Sequence, residues 1–183
     1  MVNKIELIVA IRKAFQSVPY PGDDGIVSSS LDEDVAASFR GRSWEALPLR
    51  AIFWERGDIF VLTPEAFAYY LPAFMLACLD HYDEMDTLPD SLSHLLTVPE
   101  ERPESATSRA SASESPITPK EWRKYHLGYA LALNEEQSAV VKRFLEYLRD
   151  LDPRNIGEDC EAALESWWNR FRRWGRMSSQ GAL

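Results

Sequence analysis

The sequence is poor in the residues from which catalytic and metal sites are most often built. Only three of its 183 residues are histidine and two are cysteine, and no histidine has a nearby cysteine or serine in a nucleophile motif. The Gly-x-Ser-x-Gly, P-loop and dinucleotide-binding patterns are also absent. Catalytic groups can assemble from distant positions, so we leave enzymatic activity undecided, lean against it, and predict neither a metal nor a cofactor.

Long apolar runs are missing as well. The longest, residues 62–79, is interrupted by Pro72 and followed by Asp80, whereas a helix that spans a bilayer needs about 20 apolar residues. Residues 1–6 lack the basic flank, apolar run and cleavage site of a signal peptide. We therefore predict a cytoplasmic protein that does not enter the membrane.

The two cysteines, Cys78 and Cys160, each fall within an apolar helical pattern. Cysteine in that setting behaves as a small buried hydrophobe, so we expect free thiols rather than a disulfide. The chain does not need a disulfide, because 45% hydrophobic residues and six tryptophans are sufficient for an ordinary core.

Positive charge is scarce and unevenly placed. The formal net charge is −9 at pH 7. Eight acids lie between residues 80 and 104 against the single Arg102, whereas residues 166–183 hold four arginines and no acid. Net acidity opposes binding to a phosphate backbone and favours a basic partner. We therefore predict a basic protein partner and no nucleic acid.

Helical patterns account for most of the chain, and the predicted class is all-α: about six to seven helices in two packed halves. Apolar residues at helical spacing indicate helices that begin near Asn3, Ser30, Thr63, Thr118, Asn134 and Gly157, with shorter pieces at 49–56 and 88–96. Capping-box patterns mark the starts at 30–33, 118–121 and 134–137. The last helix should continue to about residue 174.

The segment 62–79 is predicted to be the central buried helix. Thr63 suits the N-cap and Pro64 the first helical position. Pro72 removes an N–H group inside the helix, so we expect a kink rather than a break. Residues 59–62 fit a strand or an extended connector, and we prefer the connector because no second strand is evident to pair with it.

Residues 99–116 contain no large apolar side chain. Such a segment cannot bury enough surface to offset the entropy lost on ordering. We predict a flexible linker at 98–117 between an N-terminal half, 1–97, and a C-terminal half, 118–176, with a disordered tail at 177–183.

Three motifs support a family resemblance: Phe15-Gln16-Ser17-Val18 followed by Pro21-Gly22, then residues 39–44 (Phe-Arg-Gly-Arg-Ser-Trp), then Leu-Thr-Pro-Glu-Ala-Phe-x-Tyr-Tyr-Leu-Pro-Ala at 62–73. With Asn134-Glu135-Glu136-Gln137, Val141 and Phe144-Leu145, the chain resembles a bacterial domain family of unknown function. Asn134-Glu135 stands where that family often has serine or threonine followed by proline. The resemblance covers most of the chain outside the linker and the arginine-rich end, and implies a helical fold in the bacterial cytosol.

The first candidate binding site is a run of acids. Five lie within eleven residues with no lysine or arginine among them: Asp80, Asp83, Glu84, Asp86 and Asp90. They are either a solvated helix end or a recognition face for a basic protein, as in an immunity or antitoxin-like protein. The second interpretation is our functional hypothesis.

The alternative hypothesis is a small-ligand or metal-binding protein or hydrolase that uses Glu65, Tyr69 and the carboxylates of residues 80–86. Against it, Glu65 also suits the helix dipole and Tyr69 also suits packing. Residues 167–176 interleave tryptophan and arginine, as in single-strand binders. There the apolar residues share one helical face with Leu164, which favours a core stripe with solvated arginines.

Overall fold

The computed structural model describes residues 2–100 and 119–169. Within these ranges the chain forms eight α-helices and no strand, so the predicted all-α class is confirmed and the number of helices is slightly above the prediction. The helices are α1 (Lys4–Phe15), α2 (Glu33–Phe39), α3 (Leu49–Glu55), α4 (Pro64–Asp80), α5 (Leu88–Leu95), α6 (Pro119–Leu131), α7 (Glu135–Leu151) and α8 (Gly157–Ala163).

Helix α4 is the central element, with 13 of its 17 residues buried. The Thr63 side chain accepts the Ala66 N–H at 3.1 Å and donates to the Gly25 carbonyl at 2.6 Å, which fixes the predicted start. The helix continues through Pro72 without a break, and the kink stays a prediction. Helices α1, α3, α5 and α6 all pack against α4.

The two halves share one core. Helix α7 packs along α1, and the Gln137 side chain reaches the Ala14 carbonyl at 3.4 Å. Helix α8 packs on α5, and the buried Trp168 donates its indole N–H to the Leu96 carbonyl at 2.7 Å. Cys78 and Cys160 are free and fully buried, as predicted.

Two local predictions are confirmed, the second in part. Asn134 and Gln137 form a reciprocal capping box at the start of α7. Residues 59–62 are a connector rather than a strand, but a 3-10 turn, Ile59–Val61, replaces the expected extended backbone. One isolated antiparallel bridge, between Val27 and Leu62, holds it to the chain before α2.

Three local predictions need correction. The side chain of Ser29, not Ser30, caps the helical turn before α2, accepting the Leu31 N–H at 3.1 Å. Val98 belongs to the core rather than to the linker, since it is buried and its N–H reaches the Ser166 hydroxyl at 3.0 Å. Helix α8 stops at Ala163, and a π-helical turn (Leu164–Trp168) follows it.

Several predictions lie outside the described residues. They are the linker from 101 onward, the Thr118 cap, the last helix beyond 169 and the tail at 177–183. Among the helices that are described, none is long and apolar enough to cross a membrane.

Candidate functional site

The predicted acidic run surrounds the C-terminal end of α4 and is partly neutralised there. Asp80 ends the helix and pairs with Lys4 at 3.1 Å. Glu84 lies 3.1 Å from His81 Nδ1. Asp83 is exposed and has no ion pair within the described part of the chain.

Asp86 follows in an unusual backbone conformation, with a φ of 50° that non-glycine residues seldom adopt. Its carboxylate lies 3.0 Å from the guanidinium of Arg56, which also stacks over the Phe53 ring at 4.1 Å. The predicted run of five acids is therefore not uniform, because Asp80 and Asp86 already have cationic partners.

Further acids lie near Asp90, which is in the first turn of α5. Partial burial raises the pKa of its carboxyl, and repulsion from Asp159, Asp86 and Asp152 raises it further. Asp152 caps the C-terminal end of α7, and Asp159 lies in the first turn of α8. Three separate parts of the chain thus bring carboxylates together.

Tyr82 connects these segments. Its hydroxyl donates to Asp152 Oδ2 at 3.1 Å, and its pKa is raised by burial, by that hydrogen bond and by the nearby charge of Asp90. The Asn155 amide donates to the same Asp152 carboxylate at 2.8 Å, and these hydrogen bonds lower the pKa of Asp152. The Asp152 carboxylate is therefore held ionised beside its acidic neighbours.

We call the resulting surface the acidic face. Its members are Asp83, Glu84, Asp86, Asp90, Asp152 and Asp159. Sequence reasoning missed Asp152 and Asp159 because they lie far along the chain from the predicted run. The only local signal was that Asp152-Pro153 ends a helix, which says nothing about what the end of that helix approaches.

A small cavity lies beside Asp80 and His81. Its volume is about 160 Å³, and it opens between α1, α3 and the C-terminal half of α4. Its walls include the apolar side chains of Leu47, Ile52 and Leu76 and the charged side chains of Arg12, Glu45 and Asp80. Ligand pockets usually have volumes of roughly 300–1,000 Å³, so this cavity has room for a single side chain rather than a typical substrate.

Glu65 and Tyr69 lie at the other end of α4 and do not join the acids. Fifteen residues separate Glu65 from Asp80, a distance of about 22 Å along the helix axis. Tyr69 is 6% exposed and packs edge-on against the rings of Tyr20, at 5.4 Å, and Tyr70, at 4.9 Å. The structure therefore places the residues of the alternative hypothesis in two separate regions.

A hydrogen-bonded cluster that the sequence did not predict surrounds this N-terminal half of α4. The buried Tyr70 hydroxyl faces the carbonyls of Phe39, at 2.8 Å, and Arg42, at 3.1 Å. The two carbonyls belong to the turn that follows α2, where Gly41 has a φ of 65°. Tyr70 thus holds the turn onto the central helix.

The same turn is fixed from its outer side. The Gly41 N–H donates to the Tyr20 hydroxyl at 2.9 Å and to Asp23 Oδ1 at 3.1 Å, and the Tyr20 hydroxyl donates to that carboxylate. The hydrogen bond from Tyr20 and then the one from Gly41 lower the pKa of Asp23. We call Tyr20, Asp23, Gly41 and Tyr70 the tyrosine network, and its partners are all internal.

Metal-binding geometry is not evident in the ranges 2–100 and 119–169. No group of three or more histidine, cysteine, aspartate or glutamate side chains there is arranged to hold an ion. Cys78 and Cys160 carry protonated thiols at neutral pH, because burial raises the pKa of Cys78 and raises that of Cys160 to about 12.

Comparison with known proteins gives one match. The profile of DUF6714, a family of unknown function, matches residues 3–172. The chain belongs to this family. The DUF6714 match includes both the tyrosine network and the acidic face. No curated protein and no solved structure matches the chain.

Proposed function

We propose that this DUF6714 protein is a cytoplasmic protein-interaction module whose acidic face binds a basic protein, in the manner of an immunity or antitoxin-like protein. The observation that carries the proposal is the convergence of carboxylates from three separate segments around Asp90. Nearby like charges repel, and a basic partner that binds beside them would relieve this repulsion.

The balance of ion pairs supports the same function. Among the described residues of the acidic face, Asp86 alone pairs with a lysine or arginine, and Glu84 contacts a histidine. Asp83, Asp90, Asp152 and Asp159 form no ion pair among the described residues, although Asp152 accepts hydrogen bonds from Tyr82 and Asn155. A surface of this kind attracts a basic protein over distance and raises the association rate more than it lowers the dissociation rate.

The small cavity suits an interface better than it suits an enzyme. It borders the acidic segment at Asp80 and His81 and offers apolar walls for one inserted side chain. Protein interfaces commonly anchor on one such buried contact surrounded by polar groups. The alternative, a small-ligand or metal-binding protein or hydrolase, would need Glu65 and Asp80 in one site, and these are about 22 Å apart.

The experiment begins with isolation of a stoichiometric partner from the native cytosol and measurement of association rates at low and high salt. Reversal of two exposed charges, D83K/E84K, should slow association several-fold at low salt. The effect should shrink as salt screens the charges. Circular dichroism should show an unchanged fold, because neither side chain is buried.

The matched control is D24K/E65K. It changes the net charge by the same amount, and both residues are exposed near the N-terminal end of α4. Association with the same partner should then change little. Equal slowing by both variants would mean that only net charge matters, and no slowing by D83K/E84K would overturn the proposal.

A further inference from the structure

His126 is buried in a way that leaves its polar atoms without partners. It lies in the middle of α6 and is 1% exposed, and neither ring nitrogen has a hydrogen-bond partner among the residues described. A neutral imidazole has one donor and one acceptor, and burying both without a partner is unfavourable. Such a group needs an explanation, because most buried polar side chains in folded proteins have a hydrogen-bond partner.

Among the residues 2–100 and 119–169, no carboxylate is recorded beside the ring to stabilise a positive charge. On the α5 side it meets the ring of His94, edge-on at 5.4 Å, and the carbonyls of His94, Leu95 and Thr97 lie nearby outside hydrogen-bond geometry. On its own helix it packs against Trp122 at 4.6 Å and Tyr125 at 6.1 Å.

The charged groups described on the other segments packed against His126 do not stabilise a protonated ring either. Arg123 is cationic and donates to the Pro99 carbonyl at 3.0 Å. The segment between α5 and Pro99 consists of Leu96, Thr97 and Val98, and the side of α4 that meets α6 presents Phe67. Burial first, and then the nearby His94, lower the pKa of His126, and the carbonyls of Leu95, Thr97 and His94 oppose this only in part.

Within the described ranges, both halves of α6 contact the rest of the chain, and His126 belongs to the N-terminal contact. The C-terminal half is held by Tyr129, whose hydroxyl reaches the carbonyls of Phe60 and Leu62 at 2.7 and 2.9 Å. Gly128 lies so close to Pro64 that an added Cβ would meet its ring at 3.3 Å. The N-terminal half depends on Trp122, Arg123 and the uncharged ring of His126.

We propose that His126 is an acid-sensitive latch: protonation of its ring at mildly acidic pH releases the N-terminal half of α6 from the end of α5. The neutral ring fits against its aromatic neighbours, whereas the imidazolium needs water or an anion and gains either only when the helix moves away. The released surface would include Trp122, while Tyr129 keeps the rest of α6 in place.

The sign of the pH dependence follows from proton binding. In the closed form the ring takes up a proton less readily than its ordinary pKa of 6.5 would allow. The open form takes it up normally, so acidification below about 6.5 favours opening by up to about tenfold per pH unit. Above that pH both forms are neutral and the latch stays closed.

The test is hydrogen exchange of the full chain at pH 7.5 and pH 5.0, with the amides of 122–128 compared with those of α7 in the same molecule. This ratio removes the intrinsic effect of pH on exchange. We expect the protection of 122–128 relative to α7 to fall on the order of tenfold or more at pH 5.0. H126F should abolish the fall, whereas H81Q, which alters a histidine at the C-terminal end of α4, should behave as wild type.

Titration of the three histidine ring signals by NMR adds a readout that needs no His126 variant, because H81Q and H94Q assign the other two signals. The His126 signal should change only over the pH range in which 122–128 lose protection. Titration of His126 near 6.5 with full protection retained would overturn the latch. The same conclusion would follow if wild type and H126F exchanged alike at both pH values. If H126F does not fold, the wild-type exchange ratio and titration decide the matter.

Discussion

The polar groups around the two ends of α4 differ in their partners. Around the N-terminal half, the tyrosine network pairs the Tyr70 hydroxyl and the Asp23 carboxylate with internal partners. Around the C-terminal end, partial burial and then repulsion from the other carboxylates of the acidic face raise the pKa of Asp90. The first arrangement stabilises the fold, whereas the second works against it. This difference supports the proposal that the acidic end binds a partner.

The largest expected effect on stability is that of F74A, which should destabilise the core around both ends of α4. Phe74 is fully buried in α4 and its ring lies edge-on to Phe39 at 6.1 Å. Removal of the ring should lower the free energy of unfolding by about 3–5 kcal/mol in urea titration. A single transition is expected, because one core serves both halves. Two separated transitions would show that the two ends of α4 are independent.

A smaller effect is expected at the N-terminal end alone. Y70F removes the hydroxyl donor at the Phe39 and Arg42 carbonyls, of which Phe39 keeps the Arg42 N–H, and should cost about 1–3 kcal/mol of stability. Y69F is the matched control on the adjacent position, because the Tyr69 hydroxyl makes no hydrogen bond within the described residues. It should stay within about 0.5 kcal/mol of wild type. Equal losses in the two variants would remove the structural role given to the tyrosine network.

The smallest change in stability is expected at the acidic end. Asp83 and Glu84 are exposed, and the contact of Glu84 with His81 lies at the surface. D83N/E84N should therefore change the free energy of unfolding by less than about 0.5 kcal/mol. Thermal unfolding at low salt would measure it. A loss above about 1 kcal/mol would show that these acids serve the fold and not recognition.

Sequence reasoning succeeded where the cause is local. The start of α4 follows from Thr63 and Pro64, and the start of α7 from Asn134 and Gln137, because caps act within one turn of helix. It failed at Ser30, because neighbouring serines offer equivalent caps. Ser29 is the cap because the helical turn before α2 begins at Ser30, and the sequence does not fix where that turn begins.

Only the local part of the candidate site could be predicted from the sequence. The run from Asp80 to Asp90 is visible as a block of like charge. That Asp152 and Asp159 approach it depends on how α7 and α8 pack against α5, which no spacing in the sequence records. His126 likewise stands in an ordinary amphipathic pattern, and its missing partners become visible only once α6 is seated against α5.

The pH dependence expected of Asp90 has a definite sign. Its pKa is higher in the folded chain than in the unfolded chain, so the folded state binds a proton more readily just above pH 3.8. Ionisation of Asp90 therefore reduces stability as the pH rises through its folded pKa. The carboxyl of Asp23 acts in the opposite direction, because its pKa is lowered in the folded state.

The most direct test of the difference between the two ends is an NMR titration of individual carboxyl groups in the wild-type protein. One experiment reports on both ends of α4. Asp23 should titrate below the ordinary value of 3.8, because Tyr20 and Gly41 donate to it, and Asp90 should titrate above 3.8, because burial and three acids oppose its charge. Titration of both groups near 3.8, or in the reverse order, would contradict the account.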